Sequence, residues 1–142
     1  MKITQISVFL ENQQGRLRQV SEILGAANVN IRALNIAETA DYGVLRMVVD
    51  RPGEALAALK KGGIVAARTD VVAVEVPDHP GGLARALAAL GAAGINVEYM
   101  YGFFEKRTDR ALLVFRFDQP DAAIATLTRN GFTVATAADM ES

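Results

Sequence analysis

Two short loops in this chain hold the residues best suited to grip a small dipolar molecule. They read "ENQQGRL", residues 11–17, and "PDHPGGL", residues 77–83, and each sits between an apolar run and an amphipathic one. The glycine in each, Gly15 or Gly81, lets the backbone turn sharply into a helix, where unpaired N–H groups and the helix dipole favour an anion. The polar residue in front of it, Asn12 or Asp78, accepts hydrogen bonds from an ammonium group. A zwitterionic α-amino acid needs those two functions side by side. Its carboxylate is expected at the N–H groups around Gly15, Arg16 and Leu17 or around Gly81, Gly82 and Leu83. Its ammonium is expected at Asn12 or Asp78 and at the backbone of Asn30 and Ile31 or Asn96 and Val97, which open the following apolar runs. Arg16 suits a ligand carboxylate, and His79 extends from the second loop. A purely structural role accounts for the same residues: Asn12 and Asp78 as helix caps, the glycines as turn formers, Arg16 and His79 as solvated side chains.

Other chemistries find little to stand on. There is no cysteine and one histidine, so thiol catalysis and thiolate metal sites are excluded, and the scattered carboxylates give no metal cluster or cofactor site. No nucleophile with a partner base is signalled. A net charge of −1 offers no reason to expect nucleic acid. Tyr99, Tyr101 and Phe103 fall on one strand face but lack the basic pattern of an RNA-binding sheet. They are expected to cover an open sheet face against a neighbour, such as a second copy in a homodimer. No stretch approaches the roughly 20 apolar residues of a membrane span, and no signal peptide is evident, so a cytoplasmic protein is expected.

The elements that must position these loops are written twice. "GRLRQVSEILGAANVNI" aligns with "GGLARALAALGAAGINV" sixty-six residues on, and "VVDRPGEALAALKKGGIV" with "RFDQPDAAIATLTRNGFT". The larger second offset places an insertion near residues 106–109. Two homologous modules, 1–70 and 71–142, follow, joined at Thr69 and Asp70 with no linker. In the first, residues 3–10 alternate as a strand buried on one face, and Leu17, Val20, Leu24 and Ala27 recur at helical spacing. Leu83, Ala86, Leu87 and Leu90 repeat that helix, and Asn28 and Gly94 end both copies, being the residue types that tolerate a left-handed turn. Two apolar strands separated by "ADYG" or "EKRTD" come next. A helix starting near Asp50 or Asp118 ends at Gly63 or Gly131, and a last strand is expected over 64–67 or 132–137. Its buried stripe is Leu56 and Leu59, or Ile124 and Leu127. The order is βαββαβ twice: an α+β chain of two ferredoxin-like modules, each an antiparallel sheet with helices on one face.

With "DHPGGLARALAALGAAGINVEYMY" in the second module and "ENQQGRLRQVSEILGAANVNIRALNIAE" in the first, the sequence resembles a tandem ACT-domain protein. The pattern is Asp-x-Pro-Gly-x-Leu, a helix, then Gly-Ile-Asn-Val. "FLEN", "GRL", "ADYGVLR", "TDVVAVEVPDHPG" and "VEYMY" are similar to phrases of small stand-alone proteins made of two such modules. The resemblance implies a regulatory protein that binds a free amino acid between adjacent modules, has no activity of its own, and either acts on a separate protein such as a metabolic enzyme or serves as a sensor or carrier. Carried over residue by residue, the second module keeps Asp78, Pro80, Gly81, Leu83, Asn96 and Val97. The first has Asn12, Gln14, Gly15, Leu17, Asn30 and Ile31, without the Asp or the Pro, so the two loops are expected to bind unequally. Two other readings stand beside this one: an interaction module that takes no small ligand, and an acylphosphatase-like hydrolase working through Arg16.

Overall fold

The opening alternation resolves into β1 (Ile3–Glu11), whose Ile6, Val8 and Leu10 point into a core while Phe9 points away from it. The computed structural model describes residues 1–11, 13–38, 42–103 and 110–141. Among these lie α1 (Arg16–Ala26), β2 (Ile31–Glu38), β3 (Tyr42–Val49), α2 (Pro52–Lys61), β4 (Ala66–Pro77) and α3 (Gly82–Ala92). Then come β5 (Val97–Gly102), β6 (Arg110–Phe117), α4 (Pro120–Arg129), β7 (Thr133–Val134) and α5 (Ala137–Glu141). The expected insertion at 106–109, the turn "EKRTD" and the first half of "ADYG" lie outside the described residues. No helix among the described residues is long and apolar enough to cross a membrane.

By its internal contacts the chain divides into two units, Thr4–Thr69 and Asp70–Asp139, the latter with Met1–Ile3. In the first, β3 lies between β1 and β2 and runs antiparallel to both, with Leu10 opposite Gly43 and Ile36 opposite Leu45. Val20 and Leu24 of α1 and Ala55 and Leu59 of α2 close over Ile6, Val8, Leu45 and Met47. In the second the order is β5-β6-β4-β7, all antiparallel, under Ala86 and Leu90 of α3 and Ala123 and Leu127 of α4. Phe115 and Phe117, stacked with ring centroids 5.2 Å apart, fill that core. Each buried Leu or Phe contributes about 1.5–3 kcal/mol by leaving water, which is what makes helices of 10 and 11 residues persist. The predicted stripes are narrower than their spacing suggests, because Leu17, Leu83 and Leu87 stand exposed at the helix flanks.

Two expectations are corrected. One strand, β4, replaces the two expected on either side of Thr69 and Asp70, because "AARTDVVAVEVP" contains no glycine or internal proline to interrupt it. The strand expected over 132–137 shrinks to Thr133 and Val134, because Thr136 and Asp139 form a capping box, with Asp139 N–H donating to Thr136 Oγ1 and Thr136 N–H to Asp139 Oδ2. As expected, α2 and α4 start two residues after Asp50 and Asp118, at Pro52 and Pro120, but the aspartates are not their N-caps, which are Arg51 and Gln119. Each carboxylate instead accepts the backbone N–H of Asn30 or Asn96, at 2.9 and 3.0 Å, while its own N–H donates to the same residue's carbonyl.

Asn28 and Gly94 take the left-handed conformation, at φ 59° and 72°. Each lets the next residue's N–H reach back to the last turn: Val29 to the Leu24 carbonyl and Ile95 to the Leu90 carbonyl, both at 3.0 Å. A Cβ at residue 94 would meet nothing within 4 Å, so only backbone strain opposes one. Gly94→Ala and Asn28→Ala are each expected to cost about 1 kcal/mol, and Asn28→Gly to be neutral or stabilising. Thermal unfolding checks this as a Tm drop of roughly 3–5 °C for the alanine variants alone.

Candidate functional site

The site grows from the connection between β1 and α1. Gln13 N–H donates to the Glu11 carbonyl at 2.7 Å, and Gly15, at φ 88°, turns the chain so that its own carbonyl accepts the first helical bond, from Gln19 N–H at 3.0 Å. Arg16 N–H donates to the Gln13 carbonyl. The N–H groups of Leu17 and Arg18 come next, at positions with no partner inside a helix, and among the described residues no side-chain cap is made at Gly15. Folding across the turn brings two charges together: Arg16 Nη2 lies 3.5 Å from Glu11 Oε2, and Arg16 Nη1 donates to Gln19 Oε1 at 3.2 Å. Asn12 lies outside the described residues, and Gln14 is exposed in the turn.

Two clefts share Leu10, Glu11 and Arg16. The larger, about 390 Å³, runs from the end of β1 to the chain leaving α2 and is lined by Phe9, Leu10, Glu11, Arg16, Gly63, Ile64 and Val65. The smaller, about 120 Å³, faces β2 and is lined by Gln13, Leu17, Ile36 and Gly43 besides the shared three. Phe9, Glu11, Ile64 and Val65 escaped the sequence reading. Phe9 stood in the alternation of β1 on the face away from the core, and a residue in a repeating pattern attracts no functional interest. Nothing local reveals that residues 63–65 come to lie beside the end of β1.

The second loop shares the turn but not the residue that follows it. Gly81 has φ 87°, and α3 likewise lacks a side-chain cap, so Asp78 is not the helix cap that a structural role required. Asp78, His79 and Pro80 are exposed, and His79 Nδ1 sits 3.1 Å from the Pro80 carbonyl oxygen. Gly82, the counterpart of Arg16, is buried, and a Cβ there would overlap the Pro77 carbonyl oxygen. Where the first loop offers a guanidinium, the second brings backbone against backbone.

The structure does not bring the start of β2 to the loop within a module. β1 and β2 both run antiparallel to β3, and α1 carries the chain back along the sheet, so Asn30 and Ile31 lie near Val49 while the loop lies near Tyr42. The same holds for Asn96 and Val97, beside Phe117. The backbone N–H and carbonyl of Asn30 and Asn96 are moreover already engaged by Asp50 and Asp118. The aromatic face expected to be open is also corrected: Tyr101 is 7% exposed and Tyr99 half-buried. No cluster of three or more His, Cys, Asp or Glu that could hold a metal occurs among the described residues.

A family model for the ACT domain pair matches residues 1–141. Among solved structures, a protein of Bacteroides thetaiotaomicron is 39% identical, with a TM-score of 0.94 over 100% of this chain and 97% of that one. The regulatory subunits of aspartate kinase from Thermus thermophilus, in its ligand-free form, and from Thermus flavus are each 18% identical, over 89% of this chain and 90% of theirs, with TM-scores of 0.66 and 0.61. No curated protein matches.

The unequal loops make a direct prediction. Gly15 has no atom within 4 Å of a would-be Cβ, so Gly15→Ala is expected to cost only the left-handed strain, about 1–2 kcal/mol. Gly82→Ala must push backbone apart and is expected to cost at least about 2 kcal/mol although its φ is unstrained. Urea denaturation of the two variants checks the order.

Proposed function

The chain belongs to the ACT domain pair family, and on that premise we propose that it is a non-catalytic regulator that binds a free α-amino acid at the β1/α1 connection of its first module. The observation that carries this reading is the Glu11/Arg16 pair at the mouth of a cleft of about 390 Å³. That volume lies within the roughly 300–1,000 Å³ typical of small-molecule sites. A guanidinium and a carboxylate 3.5 Å apart match the two charges of a zwitterion in reverse. The ligand carboxylate takes Arg16, whose planar fork suits it, together with the outward N–H groups of Leu17 and Arg18. Its ammonium takes Glu11, which fills the role expected of Asn12.

A hydrolase working through Arg16 would want that cation free to hold a phosphate, and a neighbouring carboxylate opposes it. The regulated enzyme is proposed to be a separate chain, the arrangement that the Thermus aspartate kinase subunits bear in their names.

The test is a thermal-shift screen of the twenty amino acids. A ligand at about 100 times its Kd stabilises the fold by roughly 2.7 kcal/mol, a shift on the order of 5–10 °C for a chain of this size. Arg16→Ala is expected to weaken binding by about 10- to 100-fold. If none of the twenty raises Tm at millimolar concentration, the reading is wrong.

A further inference from the structure

The cleft beside Arg16 is polar at one end only. Beyond Glu11 and Arg16 its described lining is Phe9, Leu10, Gly63, Ile64 and Val65, none of which offers a side-chain hydrogen-bond donor or acceptor. Phe9 is 61% and Val65 72% exposed, so two large apolar side chains stand in water at the rim, above a floor in which Leu10 is buried. The wall that carries Val65 is fixed in advance. Ile64 N–H donates to the Leu59 carbonyl at 2.9 Å and Gly63 N–H to the Lys60 carbonyl at 3.1 Å, closing the end of α2.

We propose that the amino acid bound here carries a large apolar side chain, of the leucine, isoleucine, methionine or phenylalanine class, and that Val65 and Phe9 set the preference. This rests on the reading of the site as an amino-acid site and adds to it the class of ligand. With the zwitterion anchored on Glu11 and Arg16, the side chain has two directions open to it. The cleft toward Leu17 and Ile36 holds about 120 Å³, and the one toward Phe9 and Val65 about 390 Å³. A large side chain goes to the latter. A polar side chain placed there loses water and finds no side-chain partner among the described lining beyond Glu11 and Arg16, whereas an apolar one covers the exposed faces of Phe9 and Val65. A basic side chain is further opposed by Arg16 and by Lys60, which lines the adjoining hollow behind residues 63–65.

Calorimetric titration of the full chain with Leu, Ile, Met, Phe, Ala, Asp, Thr and Lys tests this. At least one large apolar amino acid is expected to bind about tenfold or more tighter than Ala, since each methylene in an apolar pocket is worth a factor of roughly 10 or more. Asp, Thr and Lys are expected to bind more weakly than that ligand. Val65→Asp, a change at an exposed position, is expected to lower the apolar ligand's affinity at least about tenfold more than it lowers that for Ala, with the Tm of the free protein unmoved. Preferred binding of Asp, Thr or Lys that still depends on Arg16 would overturn the side-chain assignment and leave the amino-acid site standing. Equal binding of the apolar ligand by Val65→Asp would overturn it too. So would a change of sedimentation coefficient in Val65→Asp with no change in affinity, because the patch would then belong to a second copy of the chain. Absence of binding by every amino acid removes both readings together.

Discussion

A left-handed residue at the strand-to-helix turn is the constraint on which the first module depends. Residue 15 must turn β1 into α1 within a few residues, and at φ 88° a side chain there would be strained even though the space around it is empty. The turn sets the rotational phase of α1, and that phase decides which residues are buried. Val20 and Leu24 land on the sheet, Leu17 on the flank, and Arg16 back across the turn toward Glu11. Packing and recognition are thus fixed by one backbone angle. An L-residue forced into that conformation would pull against both.

The turn is written twice, and the two copies stand in different local surroundings. Gly15 and Gly81 are nearly superimposable in their dihedrals, φ 88° and 87°, ψ −7° and −9°. The residue after each is where they part. Arg16 puts a cation at a cleft, whereas Gly82 lets the Pro77 carbonyl close directly on the start of α3. The same pair of sequences therefore yields an open loop in one place and a tightly packed one in the other. The second loop holds the fuller Asp-x-Pro-Gly pattern, and there the Pro77 carbonyl packs against Gly82.

Periodicity made the helices, the βαββαβ order and the helix ends legible, because each depends on residues within a turn or two of one another. Asn28 and Gly94 could be read as twin left-handed stops from residue type alone. The reach of Asp50 to Asn30 could not, since it joins residues 20 apart in sequence through the β2/β3 pairing, and a carboxylate two residues before a proline looks the same whether it caps the helix or reaches across. Neither could the cleft. Its two walls, residues 9–11 and 63–65, are adjacent only because α2 ends beside β1, a matter of tertiary geometry that neither segment encodes by itself. Glycines and the flanking charge near them were visible in the sequence; the apolar surface that gives the site its shape was not.

The resting state of the cleft bears on how a ligand could enter it. Glu11 and Arg16 are paired at 3.5 Å, with side-chain exposures of 63% and 41%, and pairs so open to water contribute at most about 1 kcal/mol because solvent screens them. Opening the pair is therefore inexpensive, and neither charge has to be stripped of water before a ligand arrives. A zwitterion then gives each group a new partner of opposite sign without leaving a buried charge unmatched. Charge exchange of this kind is nearly neutral, so the headgroup contributes orientation more than affinity. The surplus has to come from apolar area removed from water along Phe9, Leu10, Ile64 and Val65, where each 100 Å² covered is worth about 2.5 kcal/mol. Under the proposed reading, recognition at this site would separate into two physical parts: the ion pair would fix which end of the ligand points inward, and the wall after α2 how tightly it stays.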